Sequence, residues 1–256
     1  MDGMSAFAII AHRGVTQNAP GNTLAAFRAA AALGIDGIEL DVRLSRDGVP
    51  VVHHDWYVDE TVPQPVPIFT LHSAEVTALT VWDSRPEFAQ KHPIPTLGEV
   101  LHEFAGRISL EIELKSPEPE LPSAVASVLL PFRDSWPTIE LTSFSPSLLR
   151  AARDRCPGIR TALLVGATPA YMHHDALAYF AVHSARLAAA EVVHLAPDQL
   201  SDDVVTTIRR AGISIHVYVA DWERTNDVVQ RYRVPEIVTD EPARLLSLRR
   251  SNTRRI

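Results

Sequence analysis

One cysteine, Cys156, is all that the 256 residues contain, so no internal disulfide framework staples this chain, and a lone thiol fits a reducing compartment. A surplus of positive charge is missing too. The formal charge is −7 and the pI near 5.9, which excludes the basic surface that nucleic-acid phosphates require; the Arg249-Arg250 and Arg254-Arg255 pairs read as a solvated end. Nowhere do about 18 apolar residues run uninterrupted, so no spanning helix and no stable membrane insertion are expected. The first residues lack the cationic and long apolar regions of a secretion signal, which makes a soluble cytoplasmic protein the expectation. Repeats, heptads and low-complexity tracts are absent as well. What is present is a 46% hydrophobic composition, enough for a sizeable core.

That apolar content is distributed in alternation. In Ile38-Glu39-Leu40-Asp41-Val42-Arg43-Leu44 the apolar residues hold one parity, so Glu39, Asp41 and Arg43 share the other face. Leu110-Glu111-Ile112-Glu113-Leu114-Lys115 repeats the pattern, and Ile213 to Val219 does so a third time. A solvated antiparallel sheet shows such alternation too, but here helical segments follow most strands. Closing strand-helix units into a barrel buries the apolar parity under outer helices and turns the other parity inward. The reading is a single domain over 1–256, a distorted (β/α)8 barrel of the TIM type, and the length agrees with the roughly 250 residues typical of that architecture.

Along the chain, Phe7 to Ala11 forms a first strand that stops at His12-Arg13-Gly14. Asn22-Thr23 caps a helix over 24–33, and Gly34 closes it. The strand Gly37–Leu44 turns at Arg46-Asp47-Gly48 into a hairpin that delivers His53-His54-Asp55. From about 56 to 95 the text is irregular, and Pro63, Pro65 and Pro67 break any regular element, so a loop-rich insertion over the barrel mouth is predicted. Thr96 to Glu99 is a capping box for a helix through Phe104. Later strands fall at 108–115, 139–144, 160–165, 192–196, 213–219 and 236–239, with helix starts at Ser145-Pro146 and Ser201 and a stop at Gly212.

The polar groups at strand ends form a chemical set. His12 and His54 supply acid/base groups, Arg13 and Lys115 bind anions, and Glu39, Asp41 and Glu113 offer three hard-cation ligands, which is what cutting a phosphate diester needs. Glu111 shares the inward parity but lies a layer deeper, as a structural or supporting group. His53 alternates to the opposite side and reads as structural. His173-His174-Asp175 lacks a partner at ligand spacing and reads as solvated; Met172, Tyr171 and Phe180 read as helix packing, and His194 and His216 as satisfied barrel-lining residues.

The order Ala11-His12-Arg13-Gly14, Pro20-Gly21-Asn22-Thr23-Leu24, Gly37-Ile38-Glu39-Leu40-Asp41-Val42, Asp47-Gly48, His54-Asp55, Ile94-Pro95-Thr96-Leu97, Glu113-Leu114-Lys115, Ser143-Phe144-Ser145-Pro146 and Thr239-Asp240-Glu241-Pro242 resembles the glycerophosphodiester phosphodiesterases from residue 11 to 242. The resemblance implies a distorted α/β barrel that cleaves glycerophosphodiesters to sn-glycerol 3-phosphate and an alcohol with one divalent cation. Carried over by position, it makes Glu39, Asp41 and Glu113 the metal ligands, suited to Mg²⁺ or Ca²⁺, with Mn²⁺ also tolerating oxygen donors. It makes His12 and His54 the acid/base pair, with attack by the glycerol 2-hydroxyl through a cyclic phosphate or directly by water. Arg13 and Lys115 become the phosphate partners, and Tyr218 a wall of the substrate pocket.

The chain departs from that pattern in three places. Gly21 stands where the family has glutamate, Tyr218 and Asp221 replace a tryptophan and an asparagine, and Pro235-Glu236 replaces Asp-Gly. These bear on substrate range more than on chemistry. Two alternatives accompany the phosphodiesterase reading: lysophospholipase D action on lysophospholipids, and a non-catalytic barrel that binds a phosphate ligand. Metal-independent phospholipase C barrels also pair histidines with arginine, but the three carboxylates favour a cation.

Overall fold

The computed structural model describes residues 7–17, 19–58, 64–81, 92–219, 228–229 and 231–253. Eight parallel strands run in chain order around a barrel: β1 (Ala8–His12), β2 (Gly37–Leu44), β3 (Ser109–Leu114), β4 (Ile139–Ser143), β5 (Arg160–Leu164), β6 (Val192–Leu195), β7 (Ser214–Val219) and β8 (Glu236–Thr239). β1 pairs with both β8 and β2, and that double pairing closes the sheet. Closure leaves no exposed parallel edge. The predicted strands are all present, each within a residue or so of its predicted ends.

Helices α1 (Leu24–Leu33), α2 (Leu97–Phe104), α3 (Leu121–Leu129), α4 (Pro146–Arg155), α5 (His174–Ala188), α6 (Asp202–Arg210) and α7 (Pro242–Thr253) flank the barrel. Their starts follow local chemistry. The Thr23 hydroxyl accepts from Ala26 N, Thr96 and Glu99 exchange reciprocal bonds, and Ser145 and Ser201 cap α4 and α6. Gly34, at φ 75°, ends α1 in the left-handed conformation that a side chain would resist.

The strand parities separate as the alternation predicts. Ile38, Leu40, Val42 and Leu44 of β2, Leu110, Ile112 and Leu114 of β3, and Ile215 and Val217 of β7 join the core packed beneath the helices. Each such side chain contributes about 1.5–3 kcal/mol on leaving water. That layer offsets the cost of an interior rich in polar groups: Glu39, Asp41, Arg43, Glu111, Glu113, Glu140, His194, His216 and Glu236 are all buried.

The loop-rich segment expected after β2 also contains short regular elements, which its prolines were read as breaking. The strand Pro50–Val52 pairs antiparallel with β2, as predicted. Beyond it Tyr57–Val58 pairs with Val66–Pro67, a 3-10 turn covers Ile68–Thr70, a helix covers Ser73–Ala78, and Thr80–Val81 pairs with His92–Pro93. Pro67 is accommodated because a two-stranded ribbon has free edges where a missing N–H costs nothing; Pro63 lies outside the described residues. Val51, Val58, Ile68, Val76, Val81 and Ile94 form a small core of their own beneath this segment. A second difference lies on α5 and in the residues just before it. Met172 packs against the main core as expected, whereas Tyr171 and Phe180 are exposed.

Candidate active site

The C-terminal ends of β1, β2, β3, β7 and β8 meet at one rim. His12 ends β1 as the Cα partner of Glu39, and Asp41 sits beside Glu113 across β2 and β3. Donor oxygens of Glu39, Asp41 and Glu113 lie within 4.8 Å of one another. Gathering them in a buried place has an electrostatic signature. Burial and the neighbouring Asp41 and Glu113 push the Glu39 carboxyl well above the usual range, and burial brings Glu113 up to about 7 against the pull of Lys115. Asp41 goes the other way, because Lys115 and Arg13 outweigh its burial.

Arg13 reaches this group through an unusual turn. Its φ of 55° and the 88° of Gly14 fold the chain back, so that Arg13 N donates to Glu39 Oε2 at 3.1 Å and its Nε stands 2.9 Å from Asp41 Oδ2. Gly14 is obligatory, since a Cβ there would meet the backbone of Ala26 at 2.7 Å. Lys115 Nζ approaches Glu113 at 3.0 Å and Asp41 Oδ1 at 3.3 Å. Asn22, expected only as a cap, instead braces a carboxylate. Its amide donates to Asp41 Oδ2 at 2.7 Å and its oxygen accepts from Asp41 N at 3.1 Å. Thr23 alone caps the helix.

Both histidines carry a carboxylate on Nδ1. His12 Nδ1 is 2.6 Å from Asp240 Oδ1, and His54 Nδ1 is 2.7 Å from Asp55 Oδ1. A carboxylate can only accept, so each Nδ1 donates and each Nε2 is left to exchange a proton. Burial, together with Arg13 and Lys115, lowers the His54 pKa despite Asp41. Tyr218 stacks edge-on against His12 at 5.0 Å between ring centroids and donates to Asp240 at 3.4 Å. Burial and Asp240 raise its phenol to about 12, so it remains a donor. Sequence reasoning assigned no role to Asp240 or Asp55, although both stand in the family motifs; their position directly after a strand end or a histidine was the available signal.

The His54 loop is held from below. Arg43 Nε donates to His54 O at 2.8 Å, and its guanidinium lies 4.2 Å from the Trp56 ring centroid. His53 is buried and its Nε2 lies 3.1 Å from Tyr57 O, the structural position expected. His173 and His174 are exposed at the start of α5. The rim encloses a cavity of about 300 Å³ with a charged half, which includes His12, Arg13, Glu39, His54, Glu113 and Lys115, and an apolar half, which includes Phe144, Leu164, Val165, Leu195 and Val238.

This arrangement can hold an anion beside two proton-exchanging imidazoles and three hard ligands, and comparison with known proteins gives it a family. Residues 12–244 match the model of the Glycerophosphoryl diester phosphodiesterase family. The chain belongs to that family and is a phosphoric diester hydrolase. A glycerophosphodiester phosphodiesterase from Caldanaerobacter subterraneus subsp. tengcongensis is 31% identical over 248 residues, covering 94% of this chain and 96% of its own. Among solved structures, a glycerophosphodiester phosphodiesterase from Agrobacterium tumefaciens aligns with a TM-score of 0.76 at 28% identity over 93% of this chain and 98% of that one. An Oleispira antarctica phosphodiesterase in complex with the product sn-glycerol-3-phosphate aligns at 0.74 and 25% identity, over 94% and 95%.

The departures from the family pattern fall at distinct places. A Cβ on Gly21 would stand 3.0 Å from the Arg13 Cβ, so the glycine lets its loop pack on the Arg13 stem. Tyr218 is at the rim, Asp221 lies outside the described residues, and Glu236 is buried in the barrel. No helix among the described residues is long and apolar enough to cross a membrane.

Proposed function

We propose that this protein hydrolyses water-soluble glycerophosphodiesters to sn-glycerol 3-phosphate and an alcohol, dependent on one divalent cation and on His12 and His54 as acid and base, with the cytoplasm as its setting. The observation that carries the reading is the convergence of Glu39, Asp41 and Glu113 within 4.8 Å beside both imidazoles. The three carboxylates fit a hard ion: an all-oxygen set whose donors lie within 4.8 Å, with two members raised in pKa by burial and by the neighbouring carboxylates. Glu39, Asp41 and Glu113 would hold Mg²⁺ or Ca²⁺, or Mn²⁺. When bound, the ion polarises a phosphate oxygen as a Lewis acid.

The chain's own groups account for the remaining steps. Arg13 grips phosphate oxygens in fork geometry and Lys115 adds a point charge, both stabilising the charge of the pentacovalent transition state. His54, kept neutral by its lowered pKa, takes the proton of the glycerol 2-hydroxyl as that oxygen bonds to phosphorus. His12 gives its Nε2 proton to the departing alkoxide, so a cyclic phosphate and the free alcohol result. Water then opens the ring with the roles exchanged. Tyr218 and the apolar half of the cavity receive the glycerol and the leaving group.

A panel of glycerophosphocholine, glycerophosphoethanolamine, glycerophosphoglycerol and a lysophospholipid, each with and without EDTA, tests the reading. Turnover of the first three, lost on chelation and restored by Mg²⁺, Ca²⁺ or Mn²⁺, is expected. His12→Ala and Glu39→Ala abolish turnover with circular dichroism unchanged. Full activity after rigorous chelation, or near-native rates in either variant, contradicts the mechanism. Preference for the lysophospholipid would assign the apolar wall of Phe144, Leu164 and Val165 to an acyl chain.

A further inference from the structure

Below the rim carboxylates the barrel contains a second convergence that the proposed reaction does not use. Glu111 of β3, Glu140 of β4, His194 of β6, His216 of β7 and Glu236 of β8 share the inward parity, and one donor atom from each lies within 4.8 Å of all the others. Barrel interiors of this kind are ordinarily filled by branched apolar side chains. Here three carboxylates and two imidazoles occupy the place.

The details point to a missing central partner. Glu140 is pinned at its outer oxygen, with Arg160 Nε 2.7 Å from Oε2, and presents Oε1 to His194 Nε2 at 3.2 Å and His216 Nδ1 at 3.7 Å. His216 Nδ1 also lies 2.6 Å from Glu236 Oε1, yet the contact lacks hydrogen-bond geometry. Glu111 Oε2 is 3.9 Å from His194 Nε2. Glu111, His216 and Glu236 are only 3%, 3% and 9% exposed; Glu111 Oε1 has no hydrogen bond, and His216 Nδ1 and Glu236 Oε1 meet only as an ion pair without hydrogen-bond alignment. Polar atoms buried this deeply are ordinarily satisfied, so the cluster is short of a partner.

We propose that these five residues form a binding site for one divalent transition-metal ion, with Zn²⁺ as the reference ion, separate from the rim carboxylates. Two donors sharing such an ion, each at a bond of roughly 2.0–2.2 Å, are at most about 4.4 Å apart, and the five donor atoms already lie within 4.8 Å of one another before any ion draws them in. Two imidazole nitrogens distinguish it from the all-oxygen rim, since imidazole selects Zn²⁺ and its transition-metal neighbours over Mg²⁺ and Ca²⁺. An entry path exists: Glu111 and His194 also line the floor of the active-site cavity. Bound there, the ion ties five of the eight strands together and satisfies the orphaned atoms. Glu236 stands where the family resemblance has glycine, so this site is a feature of the chain rather than of the shared chemistry.

The test separates the two sites. Chelated protein carrying Asp41→Asn, which weakens the rim set, is loaded with Zn²⁺, desalted and analysed by elemental mass spectrometry and thermal melting. One zinc per chain and a raised Tm are expected. Adding His216→Gln or Glu236→Gln should weaken Zn²⁺ binding at least about 10-fold and remove the rise in Tm. A second measurement needs no deep variant: crystals of the wild-type protein soaked in Zn²⁺ should give an anomalous peak bounded by His194, His216 and Glu236. Absence of that peak, or unchanged zinc content in a folded His216→Gln variant, overturns the proposal. Neither outcome bears on the phosphodiesterase reading, whose failure would appear in the EDTA panel instead.

Discussion

At the scale of single residues, the proposed mechanism rests on pairs in which one member would touch substrate and the other fixes its orientation. Asp240 is the clearest positioning residue. It accepts from His12 Nδ1 and from the Tyr218 hydroxyl, so it sets both the tautomer of the imidazole and the placement of the phenol. Asp240→Asn can present its NH₂ to Nδ1 and turn the proton to the wrong nitrogen. We expect kcat to fall by about 10²–10⁴-fold with KM little changed, in a protein of unaltered Tm. An increase confined to KM would show that Asp240 serves binding instead. The meeting of these groups was legible in the sequence because Glu39, Asp41 and Glu113 hold the inward parity of their strands while His12, Arg13, His54 and Lys115 stand at or just beyond strand ends. Asn22 was legible only as a helix cap. Its grip on Asp41 depends on a left-handed backbone at φ 59° that no periodicity announces.

At the scale of elements, the described part of the segment after β2 packs around a small core of its own. Two-residue strands have too little length to show alternation, and prolines mask what alternation there is, which is why a loop was the natural expectation. One attachment runs through Asp47 in the hairpin turn, beside the bond from Arg46 N to Leu71 O at 2.8 Å. Asp47 accepts from Ser45 Oγ at 2.7 Å, Ser73 N at 2.8 Å and Ser73 Oγ at 2.8 Å, joining the turn to the first residue of the Ser73–Ala78 helix. Those bonds, that from Ser45 foremost, hold the Asp47 pKa at about 2. A depressed carboxylate contributes its stability above the unfolded value of 3.8 and loses it as pH falls through about 2. Asp47→Ala should therefore speed amide exchange and proteolysis in residues 64–81 at neutral pH while the barrel strands stay protected. The unsubstituted protein should show the same loosening only below about pH 3. Uniform protection in the variant would mean that the small core around Val76 and Ile68 suffices.

At the scale of the whole molecule, the barrel is built around stacked layers of charge. Parity within each strand was readable, and it announced Glu39, Asp41, Glu111 and Glu113 as inward. Which strands' inward residues share a layer was not readable, because that depends on the stagger of all eight strands at closure; the meeting of Glu140, His194, His216 and Glu236 therefore had no sequence signature. The rim layer has a consequence for pH. With no cation, Glu113 titrates near 7, and Glu39 is displaced in the same direction. A raised carboxylate contributes stability below the unfolded value of 4.5 and loses it as pH rises through about 7, since the folded state holds the extra proton. His53 and His54, whose pKa values are lowered, act with the opposite sign below 6.5. The Mg²⁺ increment isolates the carboxylates. At about pH 5 the ion must displace a proton from Glu113, whereas at about pH 8 that proton is already gone, so the rise in Tm on adding Mg²⁺ should grow across this interval. In Glu113→Gln the increment should shrink and lose the part of its pH dependence that Glu113 supplies, leaving the part from Glu39. An increment equal at both ends in the unsubstituted protein would mean that the three rim carboxylates do not bind the ion as a group.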